Sequence, residues 1–377
     1  MMVNTEKKPK ALLFLPYLAP YRVDALNEIG KFYDLTVVFL LQNMFTIKFD
    51  QKELRNMLIV KHTFLTSGFN YKKRQIRFGV FKLIKQYQPD VIFSNEFGLT
   101  SLLISLFQRL NLFHYKHIAT TSDNIYMVNA SHLVRKIARK FVLNSAQGII
   151  VYNKEIYNWY HDNFKKLIVK ICPNIQRPQN LLEKRENLYQ ISKTYIERFE
   201  LNNKKVYLYV GRLAAVKGLN RLIEIFNITK QPDEILILVG DGPQKEEITE
   251  RINRLGLKNR VLLPGRFQGN ELNAWYNVAN LFILPSYHEP FGAVVNESLI
   301  FGTPVLCSSF AGATYFIREK DNGLTFDPTN QYDFIEKFNE ARKLFSNFNV
   351  ERENLMYFDF ESSINSYFTL YNELKER

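Results

Sequence analysis

Short apolar runs bounded by turn residues alternate with stretches of helical length along most of the chain. This alternation predicts strands of a parallel sheet joined by crossover helices. In the first half the predicted strands are 11–15, 35–41, 91–94, 117–121 and 148–153, with a last one at 168–173. Helix-length patterns at 21–31, 99–110 and 131–144 lie between them. A polar stretch, 176–203, carries Pro178 and interrupts the series. Strands are then predicted at 205–211, 235–239, 260–264, 281–285, 304–308 and 324–326, and one amphipathic helix from Phe358 onward. The expected architecture is α/β: two Rossmann-like, doubly wound domains at 1–175 and 176–357. The helix at 358–377 is expected to return to the first domain. Doubly wound sheets bind ligands outside the carboxyl ends of their strands, so two in series are expected to face one another across a ligand cleft.

Composition narrows the class. Hydrophobic residues are 46% of the chain and charged residues 23%, the profile of a soluble globular protein. No apolar run approaches the roughly 20 residues of a membrane-spanning helix. The run Ala11–Leu15 follows lysines, but it ends at Pro16 without a small-residue cleavage site, so it is read as a buried strand and not as a signal peptide. Two cysteines, Cys172 and Cys307, are too few for a zinc site and far apart in sequence, which fits a reducing cytoplasm.

The charge is unevenly distributed. Residues 1–175 hold 25 Lys and Arg against 11 Asp and Glu, whereas residues 176–377 hold 25 against 26, so the whole excess of +13 sits in the first half. That asymmetry predicts an anionic surface or substrate for the first domain.

The residues at the predicted strand ends carry the candidate chemistry. The strand before Gly211 runs into Arg212, and Lys217 follows where the next helix begins. Cations are disfavoured at a helix N-terminus, where the macrodipole is already positive, unless an anion lies between them. A diphosphate suits Arg and Lys together; two solvated surface charges would give the same pattern. Gly240-Asp241-Gly242-Pro243 marks a sharp turn or a close backbone approach, with Pro at the first turn of a helix. After the strand at 281–285, Pro290 and Gly292 mark a loop opening into a helix, so the amides of Gly292, Ala293 and Val294 are expected to be free. Glu289 lies ahead of that helix start and Glu297 inside it. Amides for phosphate with a carboxylate on either side can grip a nucleotide sugar along its length.

This segment resembles the Glu-x7-Glu signature of family-4-type retaining glycosyltransferases of the GT-B fold. The resemblance runs from about Val206 to Pro328. It comprises, in order, Gly211-Arg212-x4-Lys217-Gly218, Gly240-Asp241-Gly242-Pro243, Pro264-Gly265-Arg266-Phe267, Glu289-Pro290-Phe291-Gly292-x4-Glu297, Phe301-Gly302-Thr303-Pro304-Val305 and Asn322-Gly323-Leu324. It implies that Arg212 and Lys217 bind the donor diphosphate, and that Glu289 meets hydroxyls of the transferred sugar beside the amides of Phe291 and Gly292. Glu297 would hold the ribose, and Arg266 and Phe267 would lie against the base, uridine by family habit. It also implies retention of anomeric configuration. The chain departs from the family in two places. Tyr315 stands where many members have Glu, and Pro16-Tyr17-Leu18-Ala19-Pro20-Tyr21-Arg22 replaces a glycine-rich loop, leaving the first domain's contact with the donor phosphates undefined. No Asp-x-Asp signature stands at a strand end, so no metal or other cofactor is expected, with Arg212 and Lys217 in place of a divalent cation. Asp123, after a strand end, is a candidate base for the acceptor hydroxyl or a turn cap.

On a helix projected over 71–87, Arg74, Arg77, Lys82 and Lys85 fall opposite the apolar face, with Phe78 and Phe81 among them. Rings within a basic face suit an anionic lipid surface, although another part of the domain could cover them. Arg135, Lys136, Arg139 and Lys140 make a second basic face on 131–144. Together with the charge split, these faces predict a peripheral enzyme at the inner face of the membrane, acting on a lipid-linked glycan or other glycan acceptor in surface polysaccharide synthesis. The basic half shows no zinc-finger spacing and no RNP-like aromatic strand, so nucleic acid is not expected as a partner. A non-catalytic nucleotide-sugar-binding protein, a GT-B-fold sugar-nucleotide epimerase and a hydrolase are the competing readings. A hydrolase needs its two carboxyl groups to flank one bond, a poor match to a Glu297 set on the ribose.

Overall fold

Fifteen strands form in the computed structural model, which describes residues 7–43, 48–71, 74–183, 185–346 and 352–377. The chain divides into two units, Met1–Gln176 with Asp359–Arg377, and Arg177–Phe358.

In the first unit the strands are β1 (Lys10–Leu15), β2 (Asp34–Phe39), β3 (Lys61–Phe64), β4 (Gly68–Tyr71), β5 (Arg74–Arg77), β6 (Val91–Asn95), β7 (Lys116–Thr120), β8 (Gly148–Val151) and β9 (Ile168–Ile171). Seven of them make a parallel sheet in the order β3-β2-β1-β6-β7-β8-β9. Its central strands are buried almost throughout, which explains their unbroken apolar runs: a parallel sheet covered on both faces has no solvent side to alternate with. The strand order reverses between β1 and β6, so the loops after these two strands, 16–22 and the residues from Glu96, flank a crevice of the kind that holds ligands. The C-terminal residues belong to this unit. They form two helices, Phe360–Ile364 and Ser366–Glu376, where the sequence predicts one. Ser366 Oγ donates to the Ile171 carbonyl at 2.7 Å, and Tyr33 Oη donates to the Tyr367 carbonyl at 2.8 Å.

The stretch 68–77 corrects the sequence reading. It is an antiparallel hairpin of β4 and β5, and only Val80–Tyr87 is helical. Arg77 is buried, its guanidinium donating to the carbonyls of Leu40 (2.6 Å), Phe69 (2.9 Å) and Ile76 (3.1 Å) and to Asn70 Oδ1 (2.6 Å). A helix through 71–77 would leave that charge without these four acceptors. β3 was also not predicted: its residues are only half-buried, and the apolar signal is correspondingly weak.

The second unit holds β10 (Lys205–Val210), β11 (Glu234–Val239), β12 (Val261–Gly265), β13 (Leu281–Leu284), β14 (Val305–Ser308) and β15 (Gly323–Phe326). They form a parallel sheet in the order β12-β11-β10-β13-β14-β15, the doubly wound order of a dinucleotide-binding fold. The polar stretch at 176–203 proves to be largely helical, at Pro178–Leu182 and Arg185–Arg198. One stripe of the longer helix carries the buried Leu188, Ser192 and Tyr195, and the Tyr195 ring stacks on Trp275 with centroids 4.4 Å apart.

Candidate active site

The order of the second sheet reverses between β10 and β13, and the loops following these strands are joined to one another. The amide of Tyr287 donates to the Val216 carbonyl at 2.8 Å, drawing the loop after β13 onto the loop after β10. On the other side, Leu213 N donates to Asp241 O and Gln244 N to Leu213 O, each at 3.0 Å, which binds in the loop after β11. Gly240 is required there because a Cβ at this position would lie 1.8 Å from the Gly211 carbonyl oxygen. Tyr209, buried in β10, donates from Oη to the Arg212 carbonyl at 2.9 Å and fixes the turn that carries Arg212. Arg212 is half-buried, and its guanidinium makes no hydrogen bond or ion pair among the described residues.

Lys217, at the end of a short 3-10 turn, is ion-paired to Glu289, so two residues 72 apart in sequence meet at the reversal point. Both side chains are largely buried, where their attraction is screened less than at the surface. Glu289 is held by its backbone: Gly312 N donates to the Glu289 carbonyl at 3.2 Å, and Ala313 N to the Phe291 carbonyl at 2.6 Å. Beyond it, Gly292 caps the helix Ala293–Ile300 with φ +95°, a left-handed conformation that L side chains rarely adopt. No side chain caps this helix, and the amides of Gly292, Ala293 and Val294 find no acceptor among the described residues. Such a start is a ready anion site. One and a half turns on, Glu297 accepts a hydrogen bond from Tyr276 Oη at 2.7 Å. Burial, and then the Glu297 charge, push the Tyr276 phenol well above its usual range, so it stays a donor that orients the carboxylate.

Residues 192–345, which contain every one of these groups, match the family model "Glycosyl transferases group 1". Over these residues the chain is similar to the group 1 glycosyltransferases. Among its relatives, an uncharacterised glycosyltransferase of Methanocaldococcus jannaschii is 32% identical over 34% of this chain and 33% of its own. Alpha-monoglucosyldiacylglycerol synthase of Streptococcus pneumoniae is 26% identical over 68% of this chain and 61% of its own. The matches thus span from a third to about three-fifths of the length of these two relatives. Anabaena HepE, solved in complex with UDP-glucose, superposes with a TM-score of 0.69 at 19% identity, covering 98% of this chain and 100% of its own. The fold class is that of the GT-B glycosyltransferases, two Rossmann-like α/β units.

The other residues expected at the site are more dispersed. Arg266 is exposed at the end of β12, and the Phe267 ring packs on Tyr195 and Trp275, with centroids 5.6 and 5.7 Å away. Tyr315, at the position where the family often has Glu, packs on Phe316 and Phe358 and is half-buried. The sequence reading missed Tyr209 and Tyr276, which act on Arg212 and Glu297. Their sequence signals are weak: Tyr209 is one of two tyrosines on β10, and Tyr276 is a second aromatic beside Trp275.

In the first unit, Asp123 is enclosed by side chains and does not cap the following helix. Its carboxylate is fully buried and accepts from Arg135 (2.6 Å), Arg139 (3.1 Å) and Tyr160 Oη (2.9 Å). Solvent and substrate do not reach a carboxylate so enclosed, and Asn124 caps the following helix instead. The basic face predicted on 131–144 is correspondingly smaller. Arg139 is buried and Arg135 also pairs with Glu96 at 2.8 Å, leaving Lys136 and Lys140 exposed. Around the hairpin, Phe78 (57% exposed), Phe81 (45%), Lys82 and Lys85 do face outward, whereas Arg77 does not. Arg74 opens β5, but its side chain lies outside the described residues.

Proposed function

We propose that the protein transfers a sugar from a nucleoside diphosphate sugar, with uridine as its base, to a lipid-linked glycan, retaining the anomeric configuration. The observation that carries this reading is the Lys217–Glu289 pair beside the uncapped start of the helix Ala293–Ile300. HepE, with UDP-glucose bound, and the glycolipid synthase of S. pneumoniae support the choice of donor and of a lipid acceptor. As the anomeric bond breaks, negative charge collects on the departing diphosphate. Arg212, Lys217 and the amides of Phe291 to Val294 stabilise it, so no divalent cation is required. Glu289 accepts hydrogen bonds from the sugar hydroxyls, Glu297 from the ribose, and Arg266 with Phe267 borders the base. The acceptor hydroxyl attacks from the face the diphosphate leaves, and no residue of this chain is assigned as its base. A thermal-shift screen of nucleotide sugars identifies the donor, because ligands that bind the native state raise its stability. The same donor, incubated with lipid-linked acceptors in the presence of EDTA, should release nucleoside diphosphate only when an acceptor is added. Release without acceptor, or an epimerised donor, would replace the transferase reading.

The lipid preference rests on one face of the first unit. The helices Val80–Tyr87, Leu99–Arg109 and Leu133–Leu143 lie side by side, the first two joined by Phe81 and Phe107 at 5.6 Å. Between the second and third runs an apolar groove of about 430 Å³, lined by Leu99, Leu102, Leu106, Val134, Ile137 and Phe141. Leu133, Val134 and Ile137 are 71%, 62% and 60% exposed, with Lys136 and Lys140 on the same helix. Exposed aliphatics among cations match a bilayer with anionic headgroups. In vesicle flotation the protein is expected to favour anionic over neutral lipid. Replacing Val134 and Ile137 by serine should lower binding about tenfold, since each buried methylene contributes about 0.8 kcal/mol. Equal flotation with neutral vesicles, or a double variant that floats like the wild type, would contradict this.

A further inference from the structure

The apolar groove of the first unit has one end at the ligand crevice of its sheet. The helix Leu99–Arg109 follows β6, and Leu133–Leu143 lies between β7 and β8. Each carries the chain back from the carboxyl end of one strand to the start of the next parallel strand, so the two helices run the same way. Leu99 and Val134 stand at the crevice end. Arg135, next to Val134, pairs there with Glu96, the first residue after β6, at 2.8 Å. At the other end the Arg109 guanidinium lies over the Phe141 ring, 4.1 Å from its centroid. It donates to the Phe141 carbonyl at 3.0 Å and to Ser145 Oγ at 2.5 Å. Between these polar ends the wall from Leu99 to Leu106 spans about 10 Å by helical rise. All eight side chains that line the groove are apolar.

Contact with a membrane surface does not use this depth. Val134 and Ile137 project from the rim, whereas Leu102, Leu103, Ala138 and Phe141 lie lower and are half-buried. A bilayer resting on the rim reaches those lower carbons only if one of its chains leaves the leaflet and enters the groove. Extended polypeptide suits the groove poorly, because its amides would lose water and find no partner on these walls. Methylenes gain from every apolar contact and need no partner. We infer that the groove holds the hydrocarbon tail of the acceptor lipid, with the polar head left at the crevice beside Glu96, Arg135 and the Ser122 hydroxyl. The inference rests on the lipid-acceptor reading and adds to it a chain bound by the protein itself, separable from contact with a bilayer.

The test is photolabelling of the full chain, without vesicles, by lauric acid carrying a diazirine either beside its carboxylate or near its methyl end. Peptide mapping should find the first probe around Leu99 and Val134, and the second around Leu106 and Phe141. Ala138→Phe fills the floor and should cut both labels about tenfold or more, the effect of stripping the walls from two methylenes. Its vesicle flotation should stay at the wild-type level, because the rim is intact. Leu106→Trp narrows the groove from the other helix, at a side chain 39% exposed, and serves if Ala138→Phe does not fold. Wild-type flotation without labelling, or labels as strong in the filled variants as in the wild type, overturns the inference and leaves the surface reading standing. Labelling without flotation supports the bound chain and removes the surface reading instead. Labels in the reverse order place the head at Arg109 and overturn the acceptor assignment. A dimer in sedimentation that Ala138→Phe dissociates assigns the groove to a second copy of the chain and overturns the inference as well.

Discussion

Lys217→Ala is expected to lower the rate of sugar transfer at saturating donor by about 10²–10³-fold, the usual effect of removing one preorganised donor from a developing anion. Two consequences of the geometry combine. On the proposed reading the ammonium that would meet the leaving diphosphate is gone, and Glu289, largely buried, loses the cation it is paired with. The carboxylate then repels the phosphates that it previously approached through the lysine. The fold should survive, because the loop carrying residue 217 is fixed by backbone bonds, Tyr287 N to Val216 O and Leu213 N to Asp241 O. Lys217→Arg keeps the charge in another shape and should recover part of the rate. Initial-rate kinetics with circular dichroism check both statements, and a variant within a few-fold of wild type would remove Lys217 from the leaving-group chemistry.

Asp123→Asn has the largest expected effect on stability. The carboxylate neutralises Arg135 and Arg139 and accepts from Tyr160, all within the core of the first unit. Arg139 is buried, and among the described residues its other side-chain acceptor is the neutral Ser131 Oγ at 3.0 Å. Breaking a buried pair from one side leaves an uncompensated charge and typically costs about 3–5 kcal/mol. The urea midpoint should fall while the dependence of stability on urea stays the same. Transfer per folded molecule should change little, because this oxygen is closed to an acceptor hydroxyl. A stable Asp123→Asn protein with a hundredfold lower rate would instead assign Asp123 to the chemistry as the acceptor's base.

What could be read from the sequence follows from physical range. Buried parallel strands announce themselves locally, so both sheets were legible from continuous apolar runs, and so were the loops at their carboxyl ends. The candidate site residues Arg212, Gly240, Glu289 and Gly292 stand out in the same way, because all lie in loops that follow strands. Pairings across the chain do not. That Lys217 meets Glu289, or that Tyr276 orients Glu297, depends on which strands are neighbours. Asp123 looked available because its three partners lie 12 to 37 residues downstream and carry no pattern that points back to it. The hairpin at 68–77 was mistaken for helix because Ile76, Val80 and Ile84 fall at helical spacing by chance, while the strand pairing that decides the matter comes from Gly68–Tyr71. At 176–203 the opposite happened: a helix that buries a single stripe reads as polar on average.

On the proposed reading a diphosphate is held at the uncapped start of the helix Ala293–Ile300 by Arg212 and Lys217. Calorimetric titration of UDP and of uridine into the wild type, Arg212→Ala and Lys217→Ala tests it most directly. Charge-assisted hydrogen bonds contribute about 1.5–3 kcal/mol, so each variant should bind UDP roughly 10- to 100-fold more weakly while its affinity for uridine stays unchanged. Equal affinity for UDP in all three proteins would contradict the account.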